Sequence, residues 1–220
     1  MKAAAAWLAL ALLPCLPPAR AQELPDLQGV YQSIPAATAL PGGRKNQGSP
    51  RDIELVPAAA RLARTVDLKK DSWKMCQPVG PFRMMAAAET RIELVTVNAM
   101  IVMLFEDLSH GMMRTIYLKR GHPAKLEPTW LGDSVGHWEG PALVVDTTGF
   151  NDRTWLNELG APHSDALHLV ERIQPLLGGR YLQYQVTAED TKTLARPYTY
   201  TRYFQKTATE IMDDPCQDEE

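Results

Sequence analysis

The sequence predicts a mainly β domain, an antiparallel barrel or sandwich with one N-terminal helix. Beyond Thr90 the chain falls into about eight short runs of β-branched and large apolar residues, the pattern of strands in one antiparallel sheet. Between the runs stand turn formers such as Ser109-His110-Gly111, Glu139-Gly140-Pro141 and Gly178-Gly179. No helical period alternates with the strands, so a parallel α/β sheet is not expected.

Residues 1 to 21 have the layout of a secretory signal peptide: Lys2, the short apolar run "AAAAWLALALLPCL", and Ala19-Arg20-Ala21 before Gln22. A lipid anchor on Cys15 is disfavoured by Pro14, which stands where a small residue would be needed. The apolar run is too short for a membrane span, and no later run is long enough. A periplasmic or secreted chain is therefore expected, with residues 22 to 220 as its mature part.

From Gln22 to about residue 50 the chain is rich in Pro, Gly, Ala and Ser and has no period, which predicts an extended arm. Over 57 to 71, "PAAARLARTVDLKKD", Pro57 stands at a first helical position and Leu62 and Val66 are four apart among good helix formers; this predicts the helix. Pro78, Gly80 and Pro81 in "CQPVGPFRMM" predict a loop, so 22 to 89 reads as arm, helix and loop. The β domain is expected over 90 to 212. "RIELVTV" and "AMIVMLFED", divided only by Asn98, predict one bent strand or a tight hairpin. "MMRTIYLK" is the next strand. "VGHWE" and "ALVVDT" predict a hairpin with Leu143 and Val145 on one face and Val144 on the other. "ALHLVERI", "RYLQYQVTA" and "YTYTRYFQK" complete the set, and 213 to 220, "DDPCQDEE", reads as a solvated acidic tail.

A chain of 220 residues buries one good core, so a single domain is expected. Its 26 acidic residues outnumber the 23 basic ones, of which Lys2 and Arg20 leave with the signal. Nucleic acid and anionic membrane surfaces are poor partners for such a chain. Past the signal only Cys76 and Cys216 remain, an even pair that an oxidising compartment is expected to join in a disulfide.

Gly132-Asp133-Ser134-Val135-Gly136 matches the G-x-S-x-G pattern of serine hydrolases. A nucleophile elbow needs a helix directly after the serine, and His137-Trp138-Glu139-Gly140-Pro141 cannot start one. Both glycines are read instead as turn residues entering a hairpin, and Ser134 is not expected to be a nucleophile.

Within residues 127 to 172, Trp130, Trp138-Glu139-Gly140, Val144-Val145-Asp146-Thr147, Gly149-Phe150-Asn151-Asp152, Trp155, Pro162-His163-Ser164, His168 and Glu171-Arg172 follow one another in a specific order. On these residues the stretch resembles the core of a large family of secreted bacterial proteins without an assigned activity. The resemblance extends to "CQPVGPFRMM" and weakly to the last cysteine, and it implies a family rather than a reaction. His137 departs from it, since family members often carry Arg there.

His163 and His168 are the candidate catalytic residues, because imidazole titrates near neutral pH and Asp165, Asp146 or Asp152 could orient it. Residues five apart on a strand face opposite ways, so the two share a metal only if His163 lies on the preceding turn. No metal and no other cofactor is expected, for want of a second ligand cluster. The structural alternatives are hydrogen-bonded histidines, turn caps at Asn151 and Asp152, and Glu171 paired with Arg172 or another arginine on the sheet surface. Trp130, Trp138 and Trp155, with Phe150 between them, are expected to wall a pocket in which Asn151, Asp152 and Ser164 orient a ligand. Met84, Met85, Met100, Met103, Met112 and Met113 serve as core filler or cavity lining.

Two functions fit these readings. One is a barrel, lipocalin-like in general architecture, that binds a small apolar or aromatic molecule. The other is a cofactor-free lyase, isomerase or hydrolase with His163 or His168 as general base in the same cavity. Binding leads, because no pair of groups has a spacing that chemistry alone demands. Convergence of both histidines and a carboxylate in one cavity would favour the enzyme.

Overall fold

In the computed structural model, which describes residues 24–88, 90–106 and 113–212, nine strands close into one barrel in sequence order. They are β1 Gly29–Ser33, β2 Arg91–Val97, β3 Met100–Phe105, β4 Met113–Tyr117, β5 Asp133–Glu139, β6 Ala142–Thr148, β7 His168–Leu176, β8 Tyr181–Glu189 and β9 Tyr198–Thr207. Neighbours run antiparallel apart from β4 and β5, which pair in parallel through Ile116 opposite Ser134 and Tyr117 opposite Val135. The long β4–β5 connection makes that reversal, returning the chain to the end of the barrel from which β4 set out.

Strand β1 corrects the expected arm. It pairs with β2 on one side and β9 on the other and so closes the barrel. Its five residues bury only Tyr31, too short a run to display a period. The helix is also shorter than expected: α1 spans Pro57–Ala63. Beyond it, Asp67 accepts the Lys69 amide at 3.1 Å and Asp71 the Trp73 amide at 3.2 Å, so each caps a new 3-10 turn instead of prolonging α1. A second helix, α2 Pro81–Met84, occupies the expected loop. Gly80 turns the corner at φ 80°, and the fixed φ of Pro81 suits a first helical residue. Among the described residues, no helix is long and apolar enough to cross a membrane.

Asn98, at φ 52°, makes β2 and β3 a tight hairpin. Leu143 and Val145 face the core, which also holds Tyr31, Leu94, Phe105, Ile116, Tyr184, Tyr200 and Phe204, while Val144 takes the other face. Met84, Met85 and Met103 are core filler, and Met113 is exposed. Gly136 corrects another expectation: it lies inside β5, where a Cβ would come within 2.8 Å of Ile116 Cγ2, so it serves close packing and not a turn.

The interior also holds a charge pair. Arg114 on β4, in phase with Ile116, forms a bidentate pair with Glu171 on β7, between Leu169 and Ile173. Burial opposes the charge on Arg114, but the Glu171 carboxylate outweighs it and holds the proton more firmly than usual. Tyr184 donates to Glu171 at 2.7 Å, and Arg114 donates to Ser134 Oγ at 2.9 Å and Thr147 Oγ1 at 2.6 Å. Glu171 therefore does not make the surface pair foreseen for it; Arg172 binds Glu139 instead, at 2.5 Å. The expected signal at 1 to 21, the acidic tail and Cys216 of the expected Cys76 bridge lie outside the described residues.

Candidate functional site

Three connections, β4–β5, β6–β7 and β8–β9, meet at the end of the barrel where β6 finishes. Gly149 to Asn151 is stitched to the end of the β4–β5 connection: the Thr129 amide donates to Gly149 O at 3.0 Å, and the Asn151 amide to Thr129 O at 2.7 Å. This places Trp130 beside Asn151. Asn151 Oδ1 also accepts the Arg153 amide at 3.2 Å, which fixes the local turn. The next loop folds on itself through Leu156 N to Ala161 O at 2.8 Å and through Asn157 Oδ1, which accepts two amides, and delivers His163 to the floor. The turn after β8 holds the far side, with Asp190 accepting the Ser164 amide at 2.6 Å and the Ser164 hydroxyl at 2.9 Å.

These loops enclose an open cleft of about 730 Å³ lined by Trp130, Phe150, Asn151, Asp152, Arg153, His163, Ser164, Asp165 and Lys192, with Pro128 and Thr129 at its edge. Seven of the ten residues expected at the site are thus brought together: Trp130, Phe150, Asn151, Asp152, His163, Ser164 and Asp165. The other three lie elsewhere. Trp138 is five residues further along β5 than Asp133, about 17 Å at the usual rise, and packs against the barrel core. Trp155 bridges Pro162 on the inner side of its loop, lining a space of about 10 Å³ with Phe82 and Leu167. His168 starts β7 with its side chain on the outer wall, where Nε2 meets Asp146 Oδ2 at 2.8 Å.

His163 and His168 consequently do not converge. His163 is 4 % exposed, with Nε2 at 2.6 Å from the Thr154 hydroxyl and Nδ1 at 3.0 Å from Ser164 O. A carbonyl only accepts, so Nδ1 carries the proton and Nε2 accepts from Thr154. Burial pushes the imidazole below its ordinary range, against the pull of the Ser164 carbonyl and the Asp190 charge. His163 is therefore neutral with both nitrogens engaged. Asp165 pairs with Lys192 at 2.5 Å and orients no histidine; the Lys192 ammonium holds its carboxyl below the usual range. Asp190 is also held low: burial alone would raise it, but the Ser164 amide and hydroxyl and the Lys192 amide more than offset that.

On the outer wall, His122 joins Asp133 at 2.7 Å to Asp146 at 2.9 Å, and Asp146 in turn holds His168. Arg120 closes the chain on Asp133 and stacks on Tyr117. This network ties the β4–β5 connection to the barrel. Among the described residues, no three His, Cys, Asp or Glu side chains stand where one metal ion could be held.

Sequence reasoning missed Arg153, Lys192, His122 and the Arg114–Glu171 pair. Arg153 directly follows the quoted Asp152. Arg114 and Glu171 carried a readable signal, since each interrupts an apolar face in phase with its neighbours. Lys192 and His122 come from loops whose meeting depends on strand order.

The strand order defines the class: a closed, almost wholly antiparallel β-barrel with a ligand-sized cleft at one end. No family model matches the chain, and no curated protein matches it. Among solved structures it is similar to zebrafish ileal bile acid-binding protein complexed with cholic acid, at 9 % identity and a TM-score of 0.38 over 82 % of this chain and 98 % of that one. It is also similar to the REP1-NXSQ fatty acid transporter, at 9 % identity and a TM-score of 0.39 over 84 % of this chain and 98 % of that one.

Proposed function

We propose that the chain is a periplasmic or secreted small-molecule-binding barrel that takes its ligand in the end cleft, with an apolar or aromatic face of the ligand against Trp130. The observation that carries this reading is the gathering of Trp130 and Phe150 with Asn151, Asp152, Arg153 and Lys192 from separate loops around one cleft of about 730 Å³. An aromatic wall with a few polar groups on rigid supports is how small-molecule sites are built. Export is supported by the signal-like residues 1 to 21. In an oxidising compartment Cys76 and Cys216, the two cysteines left after signal removal, would pair as a disulfide, which is part of this proposal. Membership of the secreted family that residues 127 to 172 resemble belongs to the same proposal.

The alternative of a cofactor-free lyase, isomerase or hydrolase finds less support. His163 has no free nitrogen to act as base, and His168 lies outside the cleft. The proposal is tested by native mass spectrometry of protein recovered from the periplasm. A retained small molecule, absent from the Trp130→Ala variant, is expected; the same retention in both proteins would overturn the cleft assignment.

A further inference from the structure

We infer that the ligand of this cleft is an uncharged, hydroxyl-rich ring, a mono- or disaccharide, rather than a wholly apolar molecule; the inference rests on the cleft being the binding site.

The first argument is charge. Lys192 and Asp165 neutralise each other across the rim, and Asp190 is occupied by Ser164 and the Lys192 amide. What remains is Asp152 and Arg153, adjacent, of opposite sign, both exposed, and making no ion pair among the described residues. One positive and one negative group give a ligand no reason to carry net charge.

The second argument is which polar groups are free. His163 is used on both nitrogens, and the Ser164 hydroxyl donates to Asp190 and accepts the Ala166 amide at 3.0 Å. These two hold the cleft's shape. Asn151 spends only its oxygen, on the Arg153 amide, so its NH₂ stays available with the Asp152 carboxylate and the Arg153 guanidinium. That set contains a strong acceptor and strong donors within three consecutive residues. A wholly apolar ligand would cover them without partners, which costs more than one tryptophan face returns. A hydroxyl both donates and accepts, so a ring carrying several satisfies groups of either kind.

The third argument is the platform. Trp130 offers a flat apolar surface with the Arg153 guanidinium 5.9 Å from its ring centroid. A sugar ring has an apolar C–H face and a hydroxyl-bearing edge, and so meets the indole and the Asn151–Arg153 turn together.

The test is calorimetry on the full mature protein with maltose, cellobiose and N-acetylglucosamine, compared with 2-naphthol and dodecanoic acid. At least one saccharide should bind ten-fold or more tightly than either comparator. That binding should weaken at least ten-fold in Trp130→Ala and in Asp152→Ala, the latter an exposed loop position whose thermal melt should match the wild type. If the comparators bind, are lost in Trp130→Ala, and no saccharide binds, the saccharide inference is overturned while the cleft stands as the site. If nothing in either set binds, or binding persists in both variants, the cleft reading falls and takes this inference with it.

Discussion

The Thr154 hydroxyl lies 2.6 Å from His163 Nε2 and occupies the lone pair that a general base would need. With Nδ1 bound to Ser164 O, the ring ties together two segments of the loop between β6 and β7 and forms the floor of the cleft. His163 thus works through the groups it positions.

This arrangement fixes a pH dependence. Burial lowers the folded-state pKa of His163 below the unfolded value, near 6.5. The stabilisation it confers is then fully present above about pH 6.5 and is lost as pH falls through the lowered folded value, because the unfolded chain takes up a proton that the folded chain refuses. Urea melts of the wild type should weaken on going from pH 7.5 to 5, and His163→Gln should flatten that slope. An unchanged slope in the variant would show that another group titrates.

Removing one member of the Arg114–Glu171 pair leaves the other charged and buried. Glu171→Ala should cost about 3–5 kcal/mol by urea denaturation. The double variant Arg114→Met with Glu171→Leu should recover much of that loss, short of the share owed to the Tyr184 hydroxyl, which loses its acceptor. A double variant as weak as the single one would mean that the pair contributes more than mutual neutralisation.

Ser134 is 1 % exposed and accepts the Arg114 Nε–H at 2.9 Å inside the barrel. A fluorophosphonate probe should leave it unlabelled, and Ser134→Ala should cost about 1–2 kcal/mol through the orphaned guanidinium donor. Stoichiometric labelling abolished by that substitution would contradict the structural role.

The proposed Cys76–Cys216 bridge predicts no free thiol when mature, unreduced protein is unfolded and titrated. Two thiols per chain would refute it.

Much of the barrel was legible because in strands such as β2, β3, β7 and β8 buried residues alternate with more exposed ones. Strand β8 is the clearest case, with Leu182, Tyr184, Val186 and Ala188 buried and the residues between them half-buried, whereas His163 and His168 part because His163 stays on the loop before β7. Strand β1 was illegible because a five-residue strand with one buried side chain carries no period. The cleft was legible where its lining is contiguous, at Phe150 to Asp152 and His163 to Asp165. Proximity in sequence misled for Trp138 and Trp155, since rise along a strand and the fold of a loop carry neighbours to different places. Lys192 reaches the cleft through ladder pairings of β6 with β7 and β7 with β8 that no local pattern encodes.

The central claim, that the end cleft around Trp130 is where this barrel meets its ligand, is tested most directly by the indole N–H spectrum of tryptophan-labelled mature protein. Resonances are assigned by single substitutions, and a periplasmic extract of molecules below about 1 kDa is added as the probe, a mass range matched to cavities of ~300–1,000 Å³. The account predicts that the Trp130 resonance shifts while that of Trp138, at the opposite end of β5, stays in place. A shift at Trp138 with none at Trp130 would contradict it.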